Sequence, residues 1–417
     1  MSTATHQLPL SETSTPSTQA ELVSVVRAAY ESGTPLYPLG GETALDYGLP
    51  VKTPGIGLSL AELNRLVDYP ARDMTVTVEA GITISALAEL LAAEGQWLPI
   101  DVPDPDHATL GGVIATNASG PRRYGQGTIR DYVIGITAVD GRGTEFHGGG
   151  RVVKNVAGYD FCKLLVGSLG TLGVSTQVTL KVKPRPRASA LVTCDVASFE
   201  QAETLLAALG QSRTTPAAVE LLAGPAWSDD TNLATLTPGT SARLVVGLEG
   251  TAVEVDWMVE QLRGEWQALG VSNTRVLTGD PCSNLWRSLA EFPANRDSAA
   301  VIRANVLPGA VTTFAQEVLQ VDPQASIQAH AGNGILIVRF GGLAASDIAA
   351  TIIKRLRPAA DAMRGSVVVV HAAQGVEFTR QLIWGPARAD FPQQVAVKRQ
   401  FDPRGVLNPG RFIFSVL

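Results

Sequence analysis

Glycine-rich segments recur between predicted strands in the first half of this chain. Gly40 and Gly41 precede Thr43, and Thr109–Gly112 opens a stretch of small residues, 113–120. Small side chains and hydroxyls let backbone N–H groups close around a pyrophosphate without obstruction. One loop of this kind is typical of a tight turn. Several of them, spaced by strands, favour a phosphate-binding cradle.

Motifs of several common catalytic and nucleotide sites are missing. No G-x-G-x-x-G segment follows a predicted strand, and G-x-x-x-x-G-K-[ST], H-E-x-x-H and G-x-S-x-G do not occur. The usual Rossmann, P-loop, zinc-protease and esterase interpretations therefore fail. The cysteines Cys162, Cys194 and Cys282 lie far apart and form no CxxC pair. That spacing excludes an iron–sulfur site and a disulfide framework in this chain and favours a reducing compartment.

Length and composition indicate two domains. The 417 residues exceed one compact core, and a hydrophobic content of 45% can bury a large one. A net charge of −6 argues against nucleic acid or an anionic membrane surface as the main partner. No apolar run approaches the roughly 18 residues that span a bilayer. Residues 1–18 read as a disordered Ser/Thr-rich lead without a signal-peptide pattern, so we expect a soluble, cytoplasmic protein.

The elements that must position the loops fall into two groups. In residues 19–188, the capping pattern Thr18–Glu21 predicts a helix to about Ser32, and the turn chemistry of Asp140–Gly143 predicts a hairpin over 133–147. The basic, proline-broken segment Lys183–Arg187 marks a domain boundary.

After the boundary, residues 189–390 repeat the order strand-helix-strand-strand-helix-strand. The first set of elements is predicted at 190–196, 198–209, 217–222, 243–249, 252–268 and 273–278. The second is predicted at 301–307, 310–320, 326–330, 334–340, 345–358 and 366–371. The repetition predicts two ferredoxin-like units side by side. The C-terminal segment 391–417 is turn-rich and is expected to return to the first domain.

A series of ordered motifs carries a family resemblance. They are Leu39–Thr43, Asp73–Gly81, Thr109–Gly112, Lys154–Asp160, Gly167–Gly173 and Asp402–Gly410. In this order they are similar to the signatures of FAD-linked oxidases of the p-cresol methylhydroxylase/vanillyl-alcohol oxidase type. The string KNVAGYD resembles most closely the small FAD-binding subunit of glycolate oxidase.

The resemblance implies an α+β fold, in which two subdomains hold FAD and an α+β cap closes over the isoalloxazine ring. It assigns Gly40, Gly41, Glu42, Thr43, Thr109, Gly111 and Gly112 to the pyrophosphate. It places Ala115, Ser119, Gly120, Tyr124 and Gly125 along the ribityl and pyrophosphate path. It puts Gly158, Tyr159, Asp160, Gly170 and Gly173 around the adenine and pyrophosphate, and brings Asn408 to the flavin ring. Asn408 before a proline is also typical of a turn.

Relatives with covalently attached FAD often use a histidine in the first phosphate loop. Residues 39–43 contain none. The resemblance therefore favours non-covalent FAD, although His107 is another candidate for attachment.

The cap contains the candidate catalytic residues. Catalytic relatives share an H-x-G-D-G-N-x-H segment whose histidines help to hold a metal, and the matching stretch here keeps His330 but has Asn333, Ile335 and Ile337 at the other ligand-type positions. An amide and aliphatic side chains cannot replace an anionic ligand and an imidazole, so no metal site is expected. Arg303 and Arg339 could clamp a carboxylate, and His371 or His330 could act as a base. All four residues are also compatible with structural roles.

Three functions follow from these observations. The first is an FAD-binding subunit of a glycolate oxidase-like complex that acts on a small 2-hydroxy acid such as glycolate. Its partners would be a catalytic flavoprotein subunit and an iron–sulfur subunit. Any attachment to the inner membrane would be made by these partners. The second is a stand-alone FAD-dependent 2-hydroxy acid oxidase or dehydrogenase. The third is a non-catalytic scaffold subunit with structural FAD.

Overall fold

The computed structural model describes residues 8–150, 159–228, 230, 233, 239–294, 297–373 and 375–412. The chain divides into two compact units. The first comprises Met1–Ser119, Thr128–Arg185 and Pro386–Leu417, and the second comprises Gly120–Gly127 and Pro186–Gly385.

The first unit contains two larger sheets and one short strand pair. Its strands are β1 (Leu10–Ser14), β2 (Leu36–Leu39), β3 (Gly55–Ser59), β4 (Leu66–Asp68), β5 (Thr75–Glu79), β6 (Gln96–Trp97), β7 (Val133–Val139), β8 (Glu145–Gly149), β9 (Val174–Lys181) and β10 (Lys183–Pro184). One sheet is parallel, in the order β1-β3-β2, and the other has the order β4-β5-β9-β7-β8. Strands β6 and β10 pair with each other. The hairpin predicted around Asp140–Gly143 is confirmed as β7 and β8.

Helices and apolar side chains fill the space around these sheets. The helices of the unit are Gln19–Ser32, Ile84–Ala92, Leu110–Thr116, Ile129–Tyr132, Phe161–Leu165 and Phe391–Phe401. Thr18 caps the first helix as the sequence predicted, since its side chain accepts a hydrogen bond from the backbone N–H of Glu21. Buried residues such as Leu22, Val78 and Leu110 form one hydrophobic core.

The expected disorder of residues 1–18 is wrong for residues 10–14. They form β1, which pairs in parallel with β3 at the edge of the sheet. The Leu10 and Thr13 side chains lie beside Gly57. A polar edge strand gains its stability from backbone hydrogen bonds to its neighbour, which the composition of a Ser/Thr-rich segment does not reveal.

The second unit is built on one eight-stranded sheet. Its strands are β11 (Ala188–Val196), β12 (Ala218–Ala223), β13 (Ala242–Gly250), β14 (Arg275–Leu277), β15 (Ala300–Asn305), β16 (Ser326–His330), β17 (Ile335–Phe340) and β18 (Ser366–Ala372). The helices are Arg123–Gln126, Phe199–Leu209, Pro225–Ser228, Ala252–Ala268, Gly279–Glu291, Val311–Val321, Ala345–Thr351, Arg357–Ala362 and Arg380–Ile383. A π-helical turn, Ile352–Leu356, joins Ala345–Thr351 to Arg357–Ala362.

The two predicted ferredoxin-like units are confirmed. The sheet order β14-β11-β13-β12-β16-β17-β15-β18 contains the strand order 4-1-3-2 of a βαββαβ unit twice, and the two halves meet where β12 pairs with β16. Helix Gly279–Glu291, which neither unit requires, packs against apolar residues of one sheet face, including Leu191, Leu222 and Val245.

Candidate functional site

The first glycine loop of the first unit follows β2 and has no room for side chains. A Cβ atom on Gly40 would lie 2.1 Å from Thr109 Oγ1, and one on Gly41 would lie 1.6 Å from the backbone oxygen of His107. Both distances are far below ordinary van der Waals contact. The two loops named in the sequence prediction therefore lie directly against each other, and glycine is required for their close approach.

The backbone N–H groups of these two loops differ in whether they have a hydrogen-bond acceptor in the protein. The N–H groups of Leu110, Gly111 and Gly112 donate to Ile82 O, Ala80 O and Thr109 Oγ1, respectively, so each already has an acceptor within the protein. Within the described residues, by contrast, the N–H groups of residues 40–42 donate to no protein acceptor. Glu42 has a φ of 58°. Successive open N–H groups beside a left-handed residue make an anion-binding concavity.

A third segment, Gly167–Gly173, lies beside β2, the strand that leads into this loop, because a Cβ atom on Gly170 would lie 3.7 Å from Pro38 Cγ. Leu169 and Gly170 both have positive φ angles of 54° and 67°. The Leu169 N–H donates to Ala115 O at 2.9 Å, and the Leu169 oxygen accepts from Asn408 Nδ2 at 2.7 Å. Asn408 has a φ of 47°, and its own N–H donates to Leu36 O. Non-glycine residues in the left-handed region cost free energy and tend to cluster at ligand sites.

Near the end of helix Leu110–Thr116, two buried polar atoms have no hydrogen-bond partner among the residues that the structure describes. They are Oδ1 of Asn117, which closes the helix with a φ of 53°, and Oγ of Ser119. Buried polar atoms are nearly always paired in a folded protein. These two are therefore candidates to bind polar groups of a ligand.

The C-terminal segment is locked by a buried ion pair. Lys398 Nζ lies 2.5 Å from Asp402 Oδ2 and donates to Thr171 O at 2.6 Å. Asp402, which is fully buried, also accepts from the N–H groups of Val406 and Leu407. Burial lowers the pKa of Lys398, and the Asp402 carboxylate opposes that shift. This lock holds the loop of Thr171 and the turn segment that carries Leu407 and Asn408.

The other predicted cofactor residues are placed as follows. Tyr159 is 84% exposed, and Asp160 caps helix Phe161–Leu165 and pairs with Lys163. Gly173 leads directly into β9. Gly158 lies outside the described residues, as does most of the KNVAGYD string.

Gly120, Tyr124 and Gly125 group with the second unit. There the N–H of Gly125 donates to Ala217 O at 3.0 Å. A Cβ atom on Gly332 would lie 2.2 Å from the Tyr124 ring, so this ring lies directly against the turn at residues 331–334. The structure thus gives Tyr124 and Gly125 packing roles inside the second unit.

In the second unit, strand register brings the candidate catalytic residues to one face of the sheet. His371 and Arg339 both pair with Val301, on opposite sides of β15, and Arg303 lies two residues further along that strand. Paired residues and residues two apart share a face. His371 is buried, and the Arg339 guanidinium lies 4.9 Å from the centre of the Phe292 ring. Burial lowers the pKa of Arg339, and Asp297 opposes that shift.

His330 is part of a buried cluster on the same face. Its Nδ1 lies 2.8 Å and 3.0 Å from the two carboxylate oxygens of Glu220, and Gln328 Nε2 donates to Glu220 Oε2 at 2.9 Å. The three side chains are essentially inaccessible to solvent. The sequence prediction missed Glu220, although a lone charged residue within the apolar run 217–223 was the available signal.

Comparison with known proteins places this geometry in a family. Residues 13–149 match the family described as FAD binding domain, and residues 185–412, more than half of the chain, match FAD linked oxidases, C-terminal domain. The chain belongs to the FAD-linked oxidase family. It is therefore an FAD-dependent oxidoreductase.

Individual relatives match this FAD-linked oxidase over different lengths. Glycolate oxidase subunit GlcE of Escherichia coli (strain K12) is 38% identical over 169 residues, which are 40% of this chain and 48% of that protein. The chain thus aligns with about half the length of that relative. D-2-hydroxyglutarate dehydrogenase of Xanthomonas citri pv. viticola is 26% identical over 95% of this chain and 88% of its own length.

A solved structure shows the same fold. p-Cresol methylhydroxylase with substrate bound has a TM-score of 0.75 and 17% identity, covering 96% of this chain and 88% of that chain. The predicted p-cresol methylhydroxylase-type fold is confirmed. Among the residues that the structure describes, no helix combines the length and apolar character needed to cross a membrane.

The first unit of this FAD-linked oxidase fits its cofactor. The open N–H groups at 40–42 suit a pyrophosphate, and the unpaired oxygen atoms of Asn117 and Ser119 suit polar groups of FAD. Asn117 was not among the predicted cofactor residues. Which of these groups contacts which part of FAD stays a prediction.

Proposed function

We propose that this FAD-linked oxidase is the FAD-binding subunit of a glycolate oxidase-like complex that oxidises a small 2-hydroxy acid. Its partners would be a catalytic flavoprotein subunit and an iron–sulfur subunit, and its flavin would accept a hydride or relay electrons to them. The observation that carries the proposal is the 38% identity with GlcE over 169 residues. We place it in the cytoplasm, with any membrane attachment made by the partners.

The cap supports a subunit that depends on others for catalysis. Ile335 and Ile337 occupy two of the positions at which catalytic relatives carry ligand-type side chains. Both residues belong to an apolar cluster that includes Trp227 and Phe292. An apolar surface of this kind does not hold a divalent cation.

Bound FAD would supply the two-electron acceptor. Arg303 would bind the carboxylate of a hydroxy acid through its planar guanidinium. The absence of histidine from residues 39–43 favours non-covalent FAD. Acid precipitation of the purified protein should then release the flavin into the supernatant, and flavin retained in the pellet would contradict this attachment.

A second candidate, a stand-alone 2-hydroxy acid dehydrogenase, is favoured by two observations. The alignment with D-2-hydroxyglutarate dehydrogenase spans 95% of this chain. Register also places Arg303, Arg339 and His371 on one sheet face. In this case the chain would bind and oxidise its substrate without partners.

The visible spectrum of the purified chain separates the two candidates. The FAD-loaded protein is mixed anaerobically with glycolate and then with D-lactate, alone and after co-expression with a GlcD-type subunit and an iron–sulfur subunit. The subunit proposal expects flavin bands that persist in the isolated chain and bleach in the complex. Bleaching within seconds by the chain alone would overturn it in favour of the dehydrogenase.

Arg303→Ala tests whether Arg303 binds the substrate carboxylate. The variant is assayed in the isolated chain or in the complex, whichever oxidises the substrate. Arg213→Ala is the matched control. The Arg213 guanidinium lies 5.6 Å from the centre of the Trp257 ring. Neither residue belongs to the sheet face that carries Arg303, Arg339 and His371. We expect Arg303→Ala to raise KM strongly while FAD stays bound, and Arg213→Ala to leave KM unchanged. Equal KM values for wild type and Arg303→Ala would remove this residue from the site.

A further inference from the structure

The buried cluster of Glu220, Gln328 and His330 has a defined hydrogen-bond polarity. Gln328 Nε2 can only donate, and it donates to Glu220 Oε2. Both carboxylate oxygens face His330 Nδ1 at 2.8 Å and 3.0 Å. A carboxylate in this arrangement accepts from both neighbours, so the proton of a neutral His330 ring belongs on Nδ1.

This polarity leaves the other ring nitrogen as an acceptor. Within the described residues, Nε2 of His330 makes no hydrogen bond. His330 is the last residue of β16, beside the turn at 331–334, where loops and strand ends commonly present functional groups. An imidazole held through Nδ1 by a buried carboxylate, with Nε2 unprotonated, is the arrangement of a general base and its orienting group.

We propose that Glu220 is a positioning residue that holds His330 in the Nδ1-protonated tautomer, so that His330 Nε2 accepts the hydroxyl proton of the substrate. This inference rests on the proposed oxidation of a 2-hydroxy acid, in the form in which the flavin of this chain accepts the hydride within the complex. In the step, the substrate O–H bond breaks, an Nε2–H bond forms, and His330 becomes an imidazolium. The Glu220 carboxylate balances the new positive charge.

The variant Glu220→Gln makes a distinctive prediction. With Gln328 in its observed orientation, the new carboxamide turns its oxygen toward the Gln328 Nε2 donor, which places its NH₂ group against His330 Nδ1. Nδ1 must then accept, and the ring proton moves to Nε2. Adding Gln328→Leu removes the donor that fixes this orientation, so the carboxamide can turn over and restore the Nδ1-protonated ring.

The tautomer is read directly by nitrogen NMR of the histidine side chains in the full FAD-loaded chain. The chain has only five histidines, and His330→Gln identifies the signal of interest. We expect Nδ1–H in wild type, Nε2–H in Glu220→Gln, and Nδ1–H again in the double variant. Val219→Thr is the matched control, because this buried neighbour of Glu220 on β12 points to the opposite face. A wild-type ring that carries its proton on Nε2 would overturn the proposal.

Turnover by the assembled complex tests the catalytic consequence. When the carboxylate that orients a catalytic histidine in a Ser-His-Asp triad is replaced by its amide, the ring takes the wrong tautomer and kcat falls by about 10⁴-fold. We expect Glu220→Gln to lower kcat by that factor with little change in KM, and the double variant to recover part of it. An unchanged kcat beside a flipped tautomer would refute His330 as the proton acceptor. If the wild-type complex does not oxidise hydroxy acids at all, the proposed function fails, while the NMR result still decides the role of Glu220.

Discussion

The contact between the two glycine loops of the first unit can be tested by adding single methyl groups. In Gly40→Ala, the new Cβ would meet the Thr109 hydroxyl at 2.1 Å, whereas the Thr109 Cβ and Cγ2 atoms stand at 3.3 Å and 3.4 Å. The clash is thus mainly with one movable oxygen. In Gly41→Ala, the new Cβ would meet the backbone oxygen of His107 at 1.6 Å and its carbonyl carbon at 2.4 Å. A backbone obstacle cannot rotate away.

The expected free-energy changes follow from these partners. Thr109→Ala removes the cap on Gly112 N–H and should lower the free energy of unfolding by about 1 kcal/mol. Gly40→Ala forces Thr109 off that cap and overpacks the loop, at about 2–4 kcal/mol in total. The double variant loses the cap only once and largely escapes the clash, so it should cost about 1–2 kcal/mol where additivity would give about 3–5. The two changes should therefore couple favourably by about 2–3 kcal/mol. Gly41→Ala should exceed about 4 kcal/mol or prevent folding, and Thr109→Ala should not rescue it.

Urea unfolding with and without FAD measures these values, and FAD titration measures affinity. Gly264→Ala is the matched control, because Gly264 lies in helix Ala252–Ala268 with nothing within 4 Å of its added Cβ. This control should raise stability by about 0.5–1 kcal/mol. Strict additivity in the Gly40 and Thr109 pair, or a Gly41→Ala protein that is as stable as the control, would refute the close approach of the two loops.

Three further predictions concern the first unit. Asp402→Asn leaves the Lys398 ammonium buried without its carboxylate, so the free energy of unfolding should fall by about 3–5 kcal/mol in calorimetry, and a change below about 1 kcal/mol would contradict the ion-pair lock. Burial raises the pKa of Tyr37 to about 12, above the ordinary value of about 10. The neutral phenol therefore contributes stability that is fully present below about pH 10 and is lost as the pH rises toward 12. Tyr37→Phe should lose less stability over that range, and identical alkaline profiles would disprove this source. Asn408→Gly keeps the left-handed backbone but removes the bond to Leu169 O, which should weaken FAD binding by about 1 kcal/mol in a fluorescence titration; unchanged affinity would exclude a role for this amide in shaping the cradle.

Much of the fold follows from local patterns in the sequence. The strand predicted at 326–330 and the helix predicted at 252–268 have the observed bounds, because their periodicity, caps and flanking turns agree. The repeated element order predicted two ferredoxin-like units. The strand Leu10–Ser14 was missed, since its stability comes from pairing with a distant strand rather than from its own residues.

The candidate site also has features that follow from the sequence and features that depend on the tertiary structure. The sequence by itself determined the glycine loops, the FAD-linked oxidase family and the candidates Arg303, His330 and His371, because motif spacing and residue type are local properties. Only the tertiary structure decided that Glu220 pairs with both Gln328 and His330, and that Asn408 binds the Leu169 carbonyl rather than only shaping a turn. Those contacts join residues more than 100 positions apart, and strand register and loop packing set them.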